Sequence, residues 1–438
     1  MKDMSIDASQ LEAAVGRLGA SGLAGLRSAA LARFLKTGLP TTADEDWKYT
    51  SLARVAQSSG EWLATVGHSR GSLPAASSDA PAALTVRIED GRIDDASIDA
   101  LNAALGDTGR AYRLSASAER APGIYMDDAV SSLNAALMPD ALCVDIGAHS
   151  VVEQPILVDI VGAVSGHASS SQVRLLITLA EGSRAQFVEV TRSASARSTR
   201  SADHFASVVT EISMASGADA AYGRIQLCDS GDTLVHRLLA ELAEGSRLQH
   251  GSVDLGGRLV RNDVAARLSA RDACFESSGL FLANGEQHID NHVLADHQTG
   301  PTISRQTYRG IAADKARCVY NGKALVQVGA DGTDAEQSSH NLLLSDRAEI
   351  DTKPELEIYA EDVKCAHGAT VGQLDERALF YLQSRGIGRE RAKQLLIRAF
   401  AAELLANFPV ESFREYVASK TEGALARITS AGDAGEAQ

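Results

Sequence analysis

From Asp7 onward the apolar positions Leu11, Ala14, Val15 and Leu18 recur at helical spacing, and Asp7 followed by Gln10 offers a capping box. A second stripe, Leu23, Leu26, Ala30, Leu31, Phe34 and Leu35, predicts another amphipathic helix that stops where Gly38 and Pro40 supply a C-cap and a breaker. Residues 1–67 therefore read as a helical domain. The Gly-, Ser-, Ala- and Pro-containing stretch at 68–82 reads as a linker.

Beyond it the period falls from 3.6 to 2. Leu84, Val86 and Ile88 alternate with polar residues and run into Asp90-Gly91, a hairpin signal, opening a mixed α/β region over 83–140. From about 141 to 372 short alternating segments follow one another, at Val151–Ile160, Val173–Leu179, Ala185–Val190, Leu248–Leu255 and Ala324–Val328. The tetrapeptide Glu-Gly-Ser-Arg occurs at Glu181–Arg184 and at Glu244–Arg247, each time leading into strand-like alternation, as stacked coils of uneven length would require. The pattern favours a β-solenoid; a large sandwich uses the same short strands and turns.

The helical period returns over 373–438. Leu374, Ala378, Leu379 and Leu382 form one face, closed by Arg385-Gly386, and Ala392, Leu395, Leu396, Ala399, Phe400 and Leu404 form the next, before Pro409. Val410, Phe413 and Val417 begin a third, shorter face, and the Gly- and Ala-rich tail after Ser430 is expected to fray.

Length and charge narrow the function. A chain of 438 residues accommodates two or three units. With 42 Lys and Arg against 57 Asp and Glu, a formal charge of −15, a broad phosphate-binding face is disfavoured, and nucleic acid is not expected as a partner. No stretch approaches the ~20 apolar residues that span a bilayer, and the start lacks a basic segment followed by an apolar one, so no membrane is expected either. Cys143, Cys228, Cys274, Cys318 and Cys365 are odd in number and widely spaced, which fits reduced thiols in a cytoplasmic protein.

Candidate chemistry concentrates at Glu361–Gly372, where the strands meet the C-terminal helices. On an extended segment residues i and i+2 share a face, so Cys365 and His367 present sulfur and imidazole to one point. Such donors suit iron, zinc, copper or an iron–sulfur cluster, and the ligands still missing must come from elsewhere, another chain included. Read on spacing alone, a Cys-x-His pair is more readily a small buried hydrophobe and a turn residue. His288, His292 and His297, with Asp290 and Asp296 among them, have donors enough for zinc, in a spacing that matches no short metal motif. Trp47 reads as a packing residue. No phosphate-binding loop is present, Gly322-Lys323 lacking both the upstream Gly and a following hydroxyl, so no nucleotide is expected on this chain.

The run from Asp351 through Ile387, with Val363-Lys364-Cys365-Ala366-His367-Gly368-Ala369-Thr370-Val371-Gly372 at its centre, resembles the C-terminal signature of SufD proteins. Glu45-Asp46-Trp47-Lys48-Tyr49-Thr50, Leu133-Asn134, Gln154-Pro155-Ile156, Ser304-Arg305-Gln306 and Asn341-Leu342-Leu343-Leu344 agree with it. The resemblance implies a mainly β fold, a right-handed parallel β-helix flanked by α-helical N- and C-terminal domains. It implies a non-catalytic scaffold of the SUF system that joins a SufB-like paralogue and a SufC-like ATPase to build and pass on iron–sulfur clusters. The nascent cluster would sit transiently at a subunit interface, on Cys365 and His367, with His367 the favoured ligand. The helical region 374–425, through Leu379, Phe380, Leu382, Arg385, Gly386 and Ile387, would hold the ATPase, whose dimerisation would strain the scaffold. Alone, such a chain could form a homodimer. Gly332 stands where SufD proteins often carry a basic residue, which puts any contact made there in doubt. Three other readings are a SufB-like scaffold, a carbohydrate-active β-helix enzyme and a zinc enzyme using the three histidines.

Overall fold

Asp7 caps the first helix, α1 (Ala8–Arg17), by accepting the Gln10 amide at 2.9 Å, and Leu11 and Ala14 are buried beneath it. In α2 (Ala24–Thr37) the expected stop is in place, with Gly38 at φ 68° donating to the Phe34 carbonyl. Leu35 of its apolar stripe stays exposed, and Arg27 takes a buried place instead, donating to the carbonyls of Met138 (3.0 Å) and Pro139 (2.6 Å). Short helices α3 (Ala53–Gln57) and α4 (Ser59–Thr65) complete this domain, with Trp62 packed on Phe205 at 5.4 Å between ring centres. The computed structural model describes residues 5–19, 22–67, 80–114, 128–162, 168–193 and 203–435, with side chains described up to 428. The expected linker lies outside the described residues over 68–79; Ala80 and Ala83 pack against a core cluster.

Strands β1 (Leu84–Glu89) and β2 (Arg92–Ile93) form the expected hairpin, with Asp90 at φ 47° and Gly91 at φ 80° in its turn. Helix α5 (Asp95–Leu105), β3 (Gly109–Arg113) and α6 (Ala129–Leu137) follow. The mixed region is part of the solenoid, because β1 pairs with β5 of one sheet and β3 with β4 of the other. Sixteen further strands alternate between the two sheets. They open with β4 (Leu142–Ile146), β5 (Ile156–Gly162), β6 (Ser169–Leu179), β7 (Arg184–Ser193), β8 (His204–Met214) and β9 (Asp219–Leu227). Next come β10 (Thr233–Leu242), β11 (Arg247–Asp254), β12 (Leu259–Leu268), β13 (Cys274–Ala283) and β14 (His288–His297). The last five are β15 (Ile303–Ala312), β16 (Arg317–Val326), β17 (Asp334–Leu343), β18 (Glu349–Ile358) and β19 (Lys364–Gly372). The segment expected from Val151 begins regular pairing only at Ile156, after Pro155, and of the segment expected at Ala324–Val328 the first three residues end the longer β16 while Gln327 and Val328 lie beyond it.

Every strand from β5 to β19 pairs in parallel with the strand two places along, odd with odd and even with even, which is a solenoid of about seven turns and excludes the sandwich. The Glu-Gly-Ser-Arg repeat marks its corner. Gly182, Gly217, Gly245 and Asp272 stack there with φ of 61–67°, Gly332 reaches 81°, and each residue's amide donates to a carbonyl one coil on. Coil lengths are uneven, since Arg184 pairs with Asp219, which pairs with Arg247.

The inner faces carry most of the core, from Val86 to Ile350, interrupted by a buried polar cluster. There Glu189 accepts from Tyr222 (2.6 Å) and lies 3.2 Å from His236, while Arg224 bonds Asp254 (2.9 Å) and His250 meets Ser277 (3.0 Å). Outside, the N-terminal helices cover part of the even sheet, and the C-terminal helices cover the odd one. These last are α7 (Glu376–Ser384), α8 (Arg389–Leu405) and α9 (Arg414–Gly435). The buried stripe of α8 is Ala392, Ile397, Ala401, Leu404 and Leu405, rotated from the expected one; Leu395 and Leu396 are half-buried and Ala399 is exposed. Phe408 and Pro409 sit against Gly223 and Gly251, where any Cβ would lie 2.4 and 2.3 Å from their side chains. The third helix is the longest of the three, running through the expected fray point at Ser430 as far as Gly435.

Candidate functional site

Coverage thins toward the C-terminal end of the solenoid, where β18 and β19 form the free edges of the two sheets. The burial of β19 shows this: its residues are exposed except for half-buried Cys365, although every second register partner on β17 (Ala335, Gln337, Ser339 and Asn341) is buried. Cys365 pairs with Ala335 and His367 with Gln337, both buried on the inner face. Cys365 and His367 therefore share the inner face, about 6.6 Å apart along the strand, but at a coil with nothing stacked beyond it. Partial burial raises the Cys365 thiol pKa, the Ala335 backbone hydrogen bond opposing and Asp334 reinforcing the shift, so a thiolate at this position would need a bound cation to stabilise it. Among the described residues no group of three or more Cys, His, Asp or Glu is placed to hold a metal ion. The pair alone is half a coordination sphere.

The three histidines proposed for zinc are separated by strand parity. His297 points inward, bonded to Thr302 (2.7 Å) and Ser304 (2.9 Å), whereas His288 and His292 point outward into a clamp. Within it Arg261 reaches Asp290 (2.5 Å), Asp263 (2.7 Å), the Asp46 carbonyl (2.9 Å) and His292 (2.9 Å), and stacks on Trp47 at 4.7 Å. Thr50 bonds Asp290 and, at 3.0 Å, His288. Arg317 lies over the Tyr49 ring at 5.4 Å, and Lys353 reaches Glu45 at 3.5 Å. Trp47 packs as expected, and the segment around it straps the outer face of β12, β14, β16 and β18. The zinc reading is corrected: two of its histidines fasten the strap and the third fills the core.

On α7, Phe380 is 73% and Tyr381 57% exposed, with Arg385 over the Tyr381 ring at 5.3 Å. Gly386 (φ 83°) closes the helix, with Ile387 donating back to Leu382. Leu382 and Ile387 are half-buried, and Leu379, 1% exposed, belongs to the core, out of reach of a docking chain. Gly332 sits at the solenoid corner with positive φ, beside Pro301. Gln337 lies opposite His367 in register, a placement that no local pattern in the sequence announces.

Residues 162–400 match the family described as SUF system FeS cluster assembly, SufBD core domain. The chain is 30% identical over 395 residues to the iron–sulfur cluster assembly protein SufD of Escherichia coli, covering 89% of this chain and 90% of that one. It is 34% identical over 298 residues to a SufBD family assembly protein of Synechocystis, covering 66% of this chain and 64% of that one. With Bacillus subtilis SufD the figures are 27% over 307 residues and 68% of each. Fold and relatives agree, and the chain belongs to the SufBD family of the SUF iron–sulfur cluster assembly system, on its SufD side.

Proposed function

We propose that this chain is a non-catalytic scaffold subunit that joins a SufB-like paralogue and a SufC-like ATPase to build and transfer nascent iron–sulfur clusters, with Cys365 and His367 donating to the cluster at a shared interface. The observation that carries it is the uncapped end of the solenoid. Two free sheet edges expose unpaired backbone donors and acceptors, a template for another solenoid. The one Cys–His pair on that end has too few ligands for a cluster, and a partner's edge would bring the others. The cluster is cargo here, bound through thiolate sulfur and imidazole nitrogen. A second copy could occupy the same edges when the partner is absent. Phe380, Tyr381 and Arg385, exposed on α7, form the surface for the ATPase, aromatic and Arg residues being those that anchor interfaces.

Co-expression with SufB-like and SufC-like chains, then anaerobic reconstitution with ferrous iron and sulfide, tests this. A three-component complex should form, and His367→Ala should retain it while cluster yield falls about tenfold or more, as for the loss of a ligand. Wild-type yield from the variant would remove His367 from the site. Phe380→Asp should release the ATPase and leave the paralogue bound, with unchanged thermal unfolding because the ring is exposed. Retention of the ATPase would move its surface elsewhere.

A further inference from the structure

The inner column of the odd sheet runs through Tyr222, His250, Ser277, Gln306, Gln337 and His367, one residue per coil in register. Two successive glutamines brace the two sheets in the same way. The Gln306 amide nitrogen donates to the Lys323 carbonyl (3.2 Å), and Gln337 does so to Glu355 (3.1 Å), Lys323 and Glu355 being register partners. Their oxygens differ. Gln306 Oε1 accepts from Tyr320 (3.1 Å), with Gly322 leaving the room this needs. One coil on, Thr352 replaces Tyr320 in register and is too short to repeat the bond, so Gln337 Oε1 and Thr352 Oγ1 are both buried without a partner. Gln337 is 2% exposed. A buried amide oxygen left without a donor has an energetic need for one.

We propose that Gln337 is a positioning residue for His367: its side-chain oxygen accepts one ring N–H of His367 when the imidazole engages the cluster, leaving the other nitrogen as the ligand. This rests on the reading of His367 as a cluster ligand. The register sets the two residues on adjacent strands about 4.8 Å apart, a spacing across which side chains on one face interact. The bond from Gln337 to Glu355 engages the amide nitrogen and leaves the oxygen available as an acceptor. A ligating histidine is oriented by the acceptor on its other nitrogen, which fixes the tautomer and raises ring basicity.

The test uses the reconstituted three-chain complex carrying Gln337→Met, similar in length and without the acceptor. Complex formation should be retained, with thermal unfolding lowered modestly because the donor to the Glu355 carbonyl is lost as well. Iron should pass to a chelator about tenfold faster than from wild type, and pulsed EPR of the reduced cluster should show an altered histidine nitrogen coupling. Wild-type release and coupling would overturn the inference. If Gln337→Met does not fold, the same readouts are taken on Gln337→Glu, which keeps an acceptor for the His367 ring and loses only the donor to the Glu355 carbonyl: the histidine nitrogen coupling should be retained, and its loss would overturn the inference. Should His367→Ala itself change neither readout, the ligand reading fails first; should it change both while Gln337→Met changes neither, only the positioning role falls.

Discussion

Arg261→Ala should destabilise the folded chain by about 3–5 kcal/mol, the usual loss when one partner of a buried ion pair is removed. The Arg261 side chain is 2% exposed and sits between Asp263 and Asp290, with the Asp290 side chain fully buried. Burial alone would raise the Asp290 pKa, but Arg261 and His292 hold it well below the usual carboxylate range. Without the guanidinium, the carboxylates of Asp263 and Asp290 on strands β12 and β14 lose the cation bonded to both and keep only His292 and the more distant Arg237, and Trp47 loses its stacked partner. Arg261→Lys should recover only part of the loss, since a point charge cannot serve two carboxylates, a carbonyl and an indole face together. Urea unfolding at neutral pH measures the effect, and amide exchange at Trp47–Thr50 should quicken as the strap lifts. A loss below about 1 kcal/mol would mean that water replaces the guanidinium and that the strap is an exposed pairing. Adding Asp290→Ala to Arg261→Ala should return part of the stability, because the orphaned charge carries most of the cost.

Much of this fold was legible because solenoid corners and strand faces are local. Glu-Gly-Ser-Arg announced a corner since the second position needs positive φ, and Asp272 meets that need where Gly is absent. Cys365 and His367 share a face by parity alone, and the same parity separates His297 from His288 and His292. What the sequence could not show is contact between distant segments. The buried stripe of α8 turns away from Leu395 because the odd sheet, with Gly223 and Gly251 hollowed for Phe408 and Pro409, chooses the face it receives. Thr50 meets Asp290 across 240 positions, so no local pattern announces the strap. Gln337 was hidden for the same reason, since only the coil length fixes which residue lies beneath His367.

Stability should fall by about 4 kcal/mol between pH 7 and pH 5, through two histidines that the fold keeps neutral. Burial, reinforced by the neighbouring His236 and Arg224, pushes the His250 pKa down to about 3 against the opposing charge of Glu189. Burial likewise pushes His297 down to about 4 against Asp296. An unfolded chain takes up these protons near pH 6.5, and the folded chain does not. Between the folded values and about 6.5 the unfolded state binds more protons, so stability is full above that range and is lost as pH falls. Each ring contributes roughly 1.4 kcal/mol per pH unit over that window. His288, also lowered chiefly by burial, adds in the same direction. Glu189 acts lower down: His236 and Arg224 outweigh its burial and hold it at about 2, so its contribution persists until the usual carboxylate range and is lost as pH falls toward 2. Urea midpoints at pH 5, 6, 7 and 8 should trace this slope, and His297→Gln, able to serve Thr302 and Ser304 without titrating, should remove close to half of it. A midpoint unchanged from pH 7 to 5 would mean that both rings reach solvent, and the burial of His250 and His297 described above would be wrong.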